Sequence, residues 1–152
     1  MHLMLCGSIA DIRLPMIRRY SELRALQTFE ERFEYLRLGG LVGVDTFGFD
    51  RIFNQMFYQS KEWKTIRRNV IARDLGCDLG IEGREIYGKI YVHHMNPIEL
   101  TDIENATSIL LDPQYLICVS FDTHQAIHYG DKSLLPLDPT ERTRNDTCPW
   151  KK

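Results

Sequence analysis

The sequence contains few cysteines, and none of them form a recognisable pair. Its 152 residues include four, and no two are spaced as a CxxC motif: Cys6, Cys77, Cys118 and Cys148. A zinc knuckle and a disulfide framework are therefore not expected, and we expect a reducing compartment.

Long apolar runs, internal repeats and low-complexity tracts are also absent. No stretch approaches the roughly 18–20 apolar residues that a membrane-spanning helix needs, so we expect no membrane association. The composition is 43% hydrophobic, 11% aromatic and 26% charged, which is typical of a globular domain and excludes a disordered chain. The apolar N-terminus lacks a preceding basic segment, so it is not typical of a secretory signal. We expect residues 1–15 to be a poorly ordered leader, with Met16 as an alternative start.

The net charge of −2 hides an uneven distribution along the chain. Only the middle third is positive, and its charge is concentrated in Lys61–Arg73, where five basic residues meet one glutamate. A phosphate backbone requires a local basic surface of this kind, although a solvated helix face explains a charge run equally well.

Helical patterns dominate the first half of the chain. Residues 17–37 are predicted to be helical in two pieces, and the capping box in Thr28–Glu31 starts the second piece. Asp50–Tyr58 is predicted as a short helix with three inward-facing residues: Ile52, Phe53 and Met56.

A longer helix follows, with Ser60 as its N-cap and Arg73 near its end. Its buried stripe is predicted from apolar residues spaced at three and four positions: Trp63, Ile66 and Val70. Gly76–Gly88 is rich in glycine and charge, which indicates a loop or an irregular hairpin.

Two strands and a helix are predicted in the second half. Lys89–His94 and Tyr115–Val119 have the β-branched and aromatic content of strands. Asp122 or Thr123 is predicted to cap a short helix that stops at Gly130. The predicted fold class is therefore α+β.

Four of the five histidines fall within 36 residues, in two pairs with special spacing. His124 and His128 are four residues apart, which places both imidazoles on one helix face and lets them grip one divalent metal. His93 and His94 are adjacent on a strand, so they point to opposite faces unless the strand ends there. One of these two can then hold metal while the other accepts a proton near neutral pH.

The combination resembles the HNH endonucleases, which are built on the ββα-metal fold, and in particular small HNH proteins encoded by bacteriophages. The matching pieces are His93-His94-x-x-Pro97 on a strand, Leu111-Asp112-Pro113, a second strand at Leu116-Ile117, and His124-x-x-x-His128 on a helix. The resemblance covers roughly residues 63–130. It implies an HNH core, around which we expect the N-terminal helices to pack.

The resemblance also implies a role for each histidine. His93, His124 and His128 match the metal ligands, and His94 matches the general base that activates water. One divalent ion is implied, and Mg²⁺, Mn²⁺, Ni²⁺, Co²⁺ and Zn²⁺ all remain open.

One residue of the family pattern is missing from this chain. The residues that would contact DNA are inferred from charge. The asparagine that braces the loop before the second strand is replaced by Tyr115, and we expect Tyr115 and Asp112 to brace this loop instead. Four basic residues are expected to hold flanking DNA phosphates without reading sequence: Lys64, Arg67, Arg68 and Arg84.

The expected function is a metal-dependent DNA endonuclease of low sequence specificity, phage or prophage encoded and acting in the cytoplasm of a bacterial host. The alternative is a metal-containing DNA-binding module that does not cut or needs a partner, such as a phage packaging protein. A purely structural zinc site also stays open. A zinc protease is disfavoured because the glutamate of an HExxH motif is Gln125 here.

The expected organisation is a leader at 1–15, a helical extension at 16–60, the HNH core at 61–130 and a loose tail at 131–152.

Overall fold

The chain combines short helices with two small antiparallel sheets, which confirms the α+β prediction. The computed structural model describes residues 16–38, 55–81 and 83–137. The predicted leader, Ile52, Phe53 and the end of the tail lie outside these residues. Within them, no helix is long and apolar enough to cross a bilayer.

The helices are α1 Tyr20–Ala25, α2 Phe29–Leu36, α3 at residues 55–59, α4 Lys61–Arg73, α5 Leu100–Glu104, α6 Ser108–Leu111 and α7 Phe121–Tyr129. The strands are β1 Cys77–Asp78, β2 Arg84–Glu85, β3 Tyr91–His94 and β4 Leu116–Val119. Short 3₁₀ turns cover Pro113–Tyr115 and Lys132–Leu134. β1 pairs with β2, and β3 pairs with β4.

The β3–β4 hairpin lies between α4 and α7. Its register places His93 opposite Ile117 and His94 opposite Leu116. Because successive strand residues face opposite sides, the two histidines belong to different layers. Ile117 packs with Ile127 of α7, whereas Leu116 packs with α4.

The face toward α4 is built as the helical pattern predicts. Trp63 and Val70 of α4 are buried together with Leu116 and Cys118 of β4, and Ile66 is partly buried against them. Burial of these side chains removes apolar surface from water and stabilises the pairing of helix and hairpin. The Ser60 hydroxyl accepts from the Trp63 amide, which confirms the predicted N-cap.

The N-terminal helices pack onto the α7 side of the hairpin. Leu23 of α1 and Leu36 of α2 join the core cluster that contains Ile117 and Ile127. The capping box of α2 is confirmed, since Thr28 and Glu31 each accept a backbone hydrogen bond from the other.

Two predictions about the helices are wrong. Met56 is 65% exposed rather than inward-facing, and Phe57 makes the apolar contacts of α3 instead. The N-cap of α7 is Ser120, not Asp122 or Thr123, because the Ser120 backbone is extended and its hydroxyl accepts from the Thr123 amide.

The second strand begins one residue later than predicted. Tyr115 lies in a 3₁₀ turn rather than in the strand, because Pro113 and the capping Asp112 carboxylate favour that turn.

Gly130 ends α7 as predicted, with a left-handed φ of 67° that glycine adopts without strain. The start of the expected loose tail packs instead, since Leu135 is buried in the cluster of Phe33 and Ala126.

Candidate metal centre

Three of the predicted site residues come together between β3 and α7. A ring nitrogen of each of His93, His124 and His128 lies within 4.8 Å of a ring nitrogen of the other two. His124 and His128 are one turn apart on α7, and the β3 register turns His93 toward that helix. This cluster, which we call the histidine cluster, could hold a metal ion.

The spacing inside the cluster suits direct ligation. The Nε2 atoms of His124 and His128 are 3.1 Å apart. The ring of His93 lies 5.2 Å from that of His124 and 5.1 Å from that of His128, nearly perpendicular to both. Nitrogens bound to one tetrahedral zinc ion would be about 3.3 Å apart, given bonds of about 2.0–2.1 Å. The His124–His128 distance is therefore already close to that spacing, and the nitrogen of His93 lies within 4.8 Å of the other two.

His93 carries the clearest sign that a ligand belongs here. Its side chain is only 3% exposed, and Nε2 has no hydrogen-bond partner. Among the described residues no other buried side-chain nitrogen or oxygen lacks a hydrogen-bond partner. Burying such an atom unpaired costs about 1–3 kcal/mol. A cation bound to the lone pair would remove this cost, so the donor set fits a metal.

The electrostatics hold the cluster in its ligating form. Burial lowers the pKa of His93 well below its usual value, and positive charge on His128 or His124 would act in the same direction. Burial lowers the pKa of His124 to about 4 and also lowers the pKa of His128. Neutral imidazoles each offer one lone pair, so at neutral pH no ring has to lose a positive charge before a metal binds. Because the Nε2 atoms of His124 and His128 share a hydrogen bond, one of them carries a proton that would have to move before both could bind the ion.

A buried carboxylate positions the start of α7. Asp78 is fully buried and accepts from the Gly80 amide at 3.0 Å, the Ser120 amide at 3.1 Å and the Thr123 hydroxyl at 2.5 Å. A negative charge is also favourable at a helix N-terminus. The β1–β2 hairpin is thereby fastened to the helix that carries His124.

His94, the predicted general base, lies on the other face of β3. It is 8% exposed, and its ring stacks on Trp63 with centroids 5.1 Å apart. Its Nε2 is 3.1 Å from the Leu110 carbonyl. Since a carbonyl can only accept, Nε2 carries the proton and Nδ1 keeps the lone pair. Burial lowers the pKa of His94 to about 4, so the ring is neutral at neutral pH.

The loop between β3 and β4 is held by backbone contacts. The Asp112 carboxylate accepts from the Gln114 amide at 2.8 Å, and the Tyr115 carbonyl accepts from the Met95 amide at 3.0 Å. Asp112 and Tyr115 thus fix the approach to β4. The atom that holds the His94 ring is the Leu110 carbonyl, which belongs to α6.

The predicted DNA-contacting residues differ in how far their side chains are exposed. Lys64 and Arg68 are exposed on α4, whereas Arg67 is half-buried and donates to the Ile90 carbonyl at 2.9 Å. Arg84 is half-buried on β2. A pocket of about 500 Å³ lies along α4. It is lined by Thr65 and by four basic residues: Lys61, Lys64, Arg67 and Arg68. This basic surface belongs to the layer that packs against His94, not to the α7 layer.

Sequence reasoning misses several residues that shape the site. Asp78 lies in the segment predicted as a loop or an irregular hairpin, which forms the β1–β2 hairpin, and nothing local shows that its side chain reaches α7. Asn96 marks only the end of a strand in the sequence, but its side chain pairs in both directions with the Arg18 backbone, at 2.7 and 3.0 Å. An acidic residue in a glycine-rich segment is the one available signal for Asp78.

No protein-family model matches the chain, and neither a curated protein nor a solved structure matches it.

Proposed function

We propose that the protein is a metal-dependent DNA endonuclease of the HNH type, hydrolysing phosphodiester bonds with one divalent ion and a histidine base. The main observation behind the proposal is the histidine cluster, in which the ring of His93 lies against two further imidazoles and its Nε2 is buried without a hydrogen-bond partner. A site with three protein ligands leaves a coordination position for water or substrate, as catalytic sites do.

The order of elements around the cluster supports this proposal. An antiparallel hairpin supplies His93, and the helix that follows its second strand supplies His124 and His128. A ββα arrangement of ligands is what the resemblance to HNH endonucleases implies. The fourth histidine is adjacent to the first ligand in sequence, as that family also requires.

Each residue has a chemical role in this proposal. When bound, the divalent ion would act as a Lewis acid that stabilises charge on the scissile phosphate and the leaving oxygen. His94 would accept the proton of the attacking water at Nδ1, because the Leu110 carbonyl holds the other proton on Nε2. Lys64 and Arg68 would bind flanking phosphates, which orients the DNA without reading its sequence.

The donor set narrows the choice of metal. Three imidazole nitrogens favour Zn²⁺, Ni²⁺ or Co²⁺ in affinity, whereas Mg²⁺ and Mn²⁺ prefer oxygen ligands. We therefore expect Zn²⁺, Ni²⁺ and Co²⁺ to bind more tightly than Mg²⁺ and Mn²⁺. The cleavage assay below tests which of the five ions supports turnover.

Nicking of supercoiled plasmid tests the proposal directly. Purified protein would be incubated with each of the five ions, with EDTA as the control for metal dependence. We expect nicking with at least one ion and none with EDTA. A folded protein that nicks with no ion, on either plasmid or oligonucleotide substrates, would contradict the endonuclease proposal.

Two observations favour a second candidate, a DNA-binding module that does not cut. His94 is 8% exposed and stacked on Trp63, and the family asparagine is replaced by Tyr115. In that case DNA binding would be strongly salt-dependent, and metal would bind without causing cleavage.

A further inference from the structure

Two aromatic rings lie beside the histidine cluster and are not used by the proposed chemistry. The ring of Tyr91 is 5.5 Å from that of His124 and 5.8 Å from that of Phe121. Phe121 is 53% exposed although it is a large apolar residue. Together with Lys89, these residues form a surface that we call the aromatic platform.

Lys89 gives the platform a positive charge. It is exposed, and its Nζ lies 4.9 Å from the centre of the Tyr91 ring. Proteins bind single-stranded nucleic acid with a cation beside aromatic rings that are open to solvent, since the bases stack on the rings and the charge attracts the backbone. Here Phe121 is exposed and Tyr91 is partly exposed.

The platform is held in place before any ligand arrives. Tyr91 packs against the core cluster of Leu23, Ile117 and Ile127, and it pairs with Val119 across the hairpin. Phe121 is the first residue of α7, directly after the Ser120 cap. Little conformational freedom is therefore lost when a flat ligand stacks here, which favours binding.

We propose that the aromatic platform binds an unpaired base of single-stranded DNA, with Lys89 contacting a neighbouring phosphate. The contact between Tyr91 and His124 would then bring the adjoining phosphodiester to the histidine cluster. That last step rests on the proposed endonuclease function, whereas base binding itself needs no metal. A base inside a duplex is already stacked on both faces, so free energy is needed to unstack it. The platform therefore favours single-stranded DNA over duplex DNA.

Binding in EDTA separates this inference from the cleavage proposal. Fluorescence anisotropy would compare a labelled oligothymidylate with a labelled duplex, using the whole chain. The test variant is Phe121→Ala, which removes a half-exposed ring and should leave the melting temperature nearly unchanged. The matched control is Tyr87→Ala, which removes another exposed aromatic ring outside the platform.

We expect Phe121→Ala to weaken single-strand binding roughly fivefold or more, in line with alanine substitution of other stacking residues. Phe121→Trp should restore the affinity, and Tyr87→Ala should leave it unchanged. Lys89→Ala should reduce the salt dependence of binding, because the variant neutralises one phosphate fewer.

Equal single-strand affinity of Phe121→Ala and the wild type would overturn the inference. So would an equal loss of duplex and single-strand binding, or a wild type that prefers the duplex. None of these results depends on cleavage: a protein that binds as expected but never nicks DNA would contradict only the endonuclease proposal.

Discussion

His93 and His94 are adjacent in sequence, yet their imidazoles lie on opposite faces of the β3–β4 hairpin. His93 contacts His124 and His128 on the α7 side, and His94 stacks on Trp63 on the α4 side. Two histidines of one dipeptide therefore have different environments. In the proposed function His93 binds the metal and His94 accepts the proton.

The buried carboxylate of Asp78 should be required for the position of α7. Asp78→Asn replaces one acceptor oxygen by an amide that faces hydrogen-bond donors. We expect a loss of about 1–3 kcal/mol in the free energy of unfolding, together with weaker metal binding. Urea denaturation and metal titration would measure the two effects. Asp131→Asn is the matched control, because Asp131 also accepts from a backbone amide and a hydroxyl, both of Ser133, but is exposed. Equal stability of both variants would show that Asp78 has no such role.

Arg73 should stabilise the fold rather than bind DNA. Its guanidinium pairs in a bidentate manner with Asp74, donates to the Pro113 and Leu116 carbonyls, and lies 3.7 Å from the centre of the Tyr20 ring. Asp74 in turn accepts from the Cys118 amide.

Lysine at position 73 keeps the charge but cannot reproduce the forked contacts. We expect Arg73→Lys to lower the free energy of unfolding by about 1–3 kcal/mol, since buried acceptors lose their partners. Arg37→Lys alters an exposed ion pair with Glu34 and should change it by well under about 1 kcal/mol. A destabilisation of the same size in both variants would contradict the distinction.

How much of the site can be predicted from the sequence depends on the range of the interactions. The spacing of His124 and His128 and the alternation in Tyr91–His94 are local patterns, and they predict that one of His93 and His94 joins the other two histidines at a metal. The choice of His93 comes from the resemblance to the HNH endonucleases. Asp78 reaches Ser120 and Thr123 across more than 40 residues, and this contact exists only once the hairpins are packed.

The environment of His94 is beyond sequence reasoning for the same reason. Its Leu110 partner is 16 residues away, and Trp63 comes from α4. The hydrogen bond to the Leu110 carbonyl decides the tautomer of His94, and burial lowers its pKa. The spacing of the dipeptide indicates only that the two rings diverge.

The metal-free protein should lose stability as the pH falls. Burial lowers the pKa of folded His94 from its usual 6.5 to about 4. Between these values the unfolded chain takes up a proton that the folded chain does not. The contribution of neutral His94 is therefore complete well above pH 6.5 and is lost as the pH approaches 4, by on the order of 3 kcal/mol. The lowered pKa values of His93, His124 and His128 act in the same direction.

Urea denaturation in EDTA at several pH values within this window would measure the loss. His94→Gln keeps a donor for the Leu110 carbonyl but cannot titrate, so its stability should depend less steeply on pH. Parallel pH profiles for the wild type and this variant would contradict the assigned cause.

The exposed cations of α4 should contribute to DNA binding through charge alone. Replacing Lys64 or Arg68 by alanine should reduce the slope of log affinity against log salt by about 0.9 for each duplex phosphate that is no longer neutralised. Arg24→Ala, which removes an exposed cation of α1, is the control. Unchanged slopes for both α4 variants would place the DNA elsewhere.

Metal content and cleavage measured on the same preparations would show whether the histidine cluster binds the ion that DNA cleavage requires. The wild type, His128→Ala and His94→Ala would each be analysed for bound metal and for plasmid nicking. We predict one ion and cleavage in the wild type, neither in His128→Ala, and bound metal with a roughly 10²–10⁴-fold slower cleavage in His94→Ala. Full activity of His94→Ala, or undiminished metal binding by His128→Ala, would contradict the account.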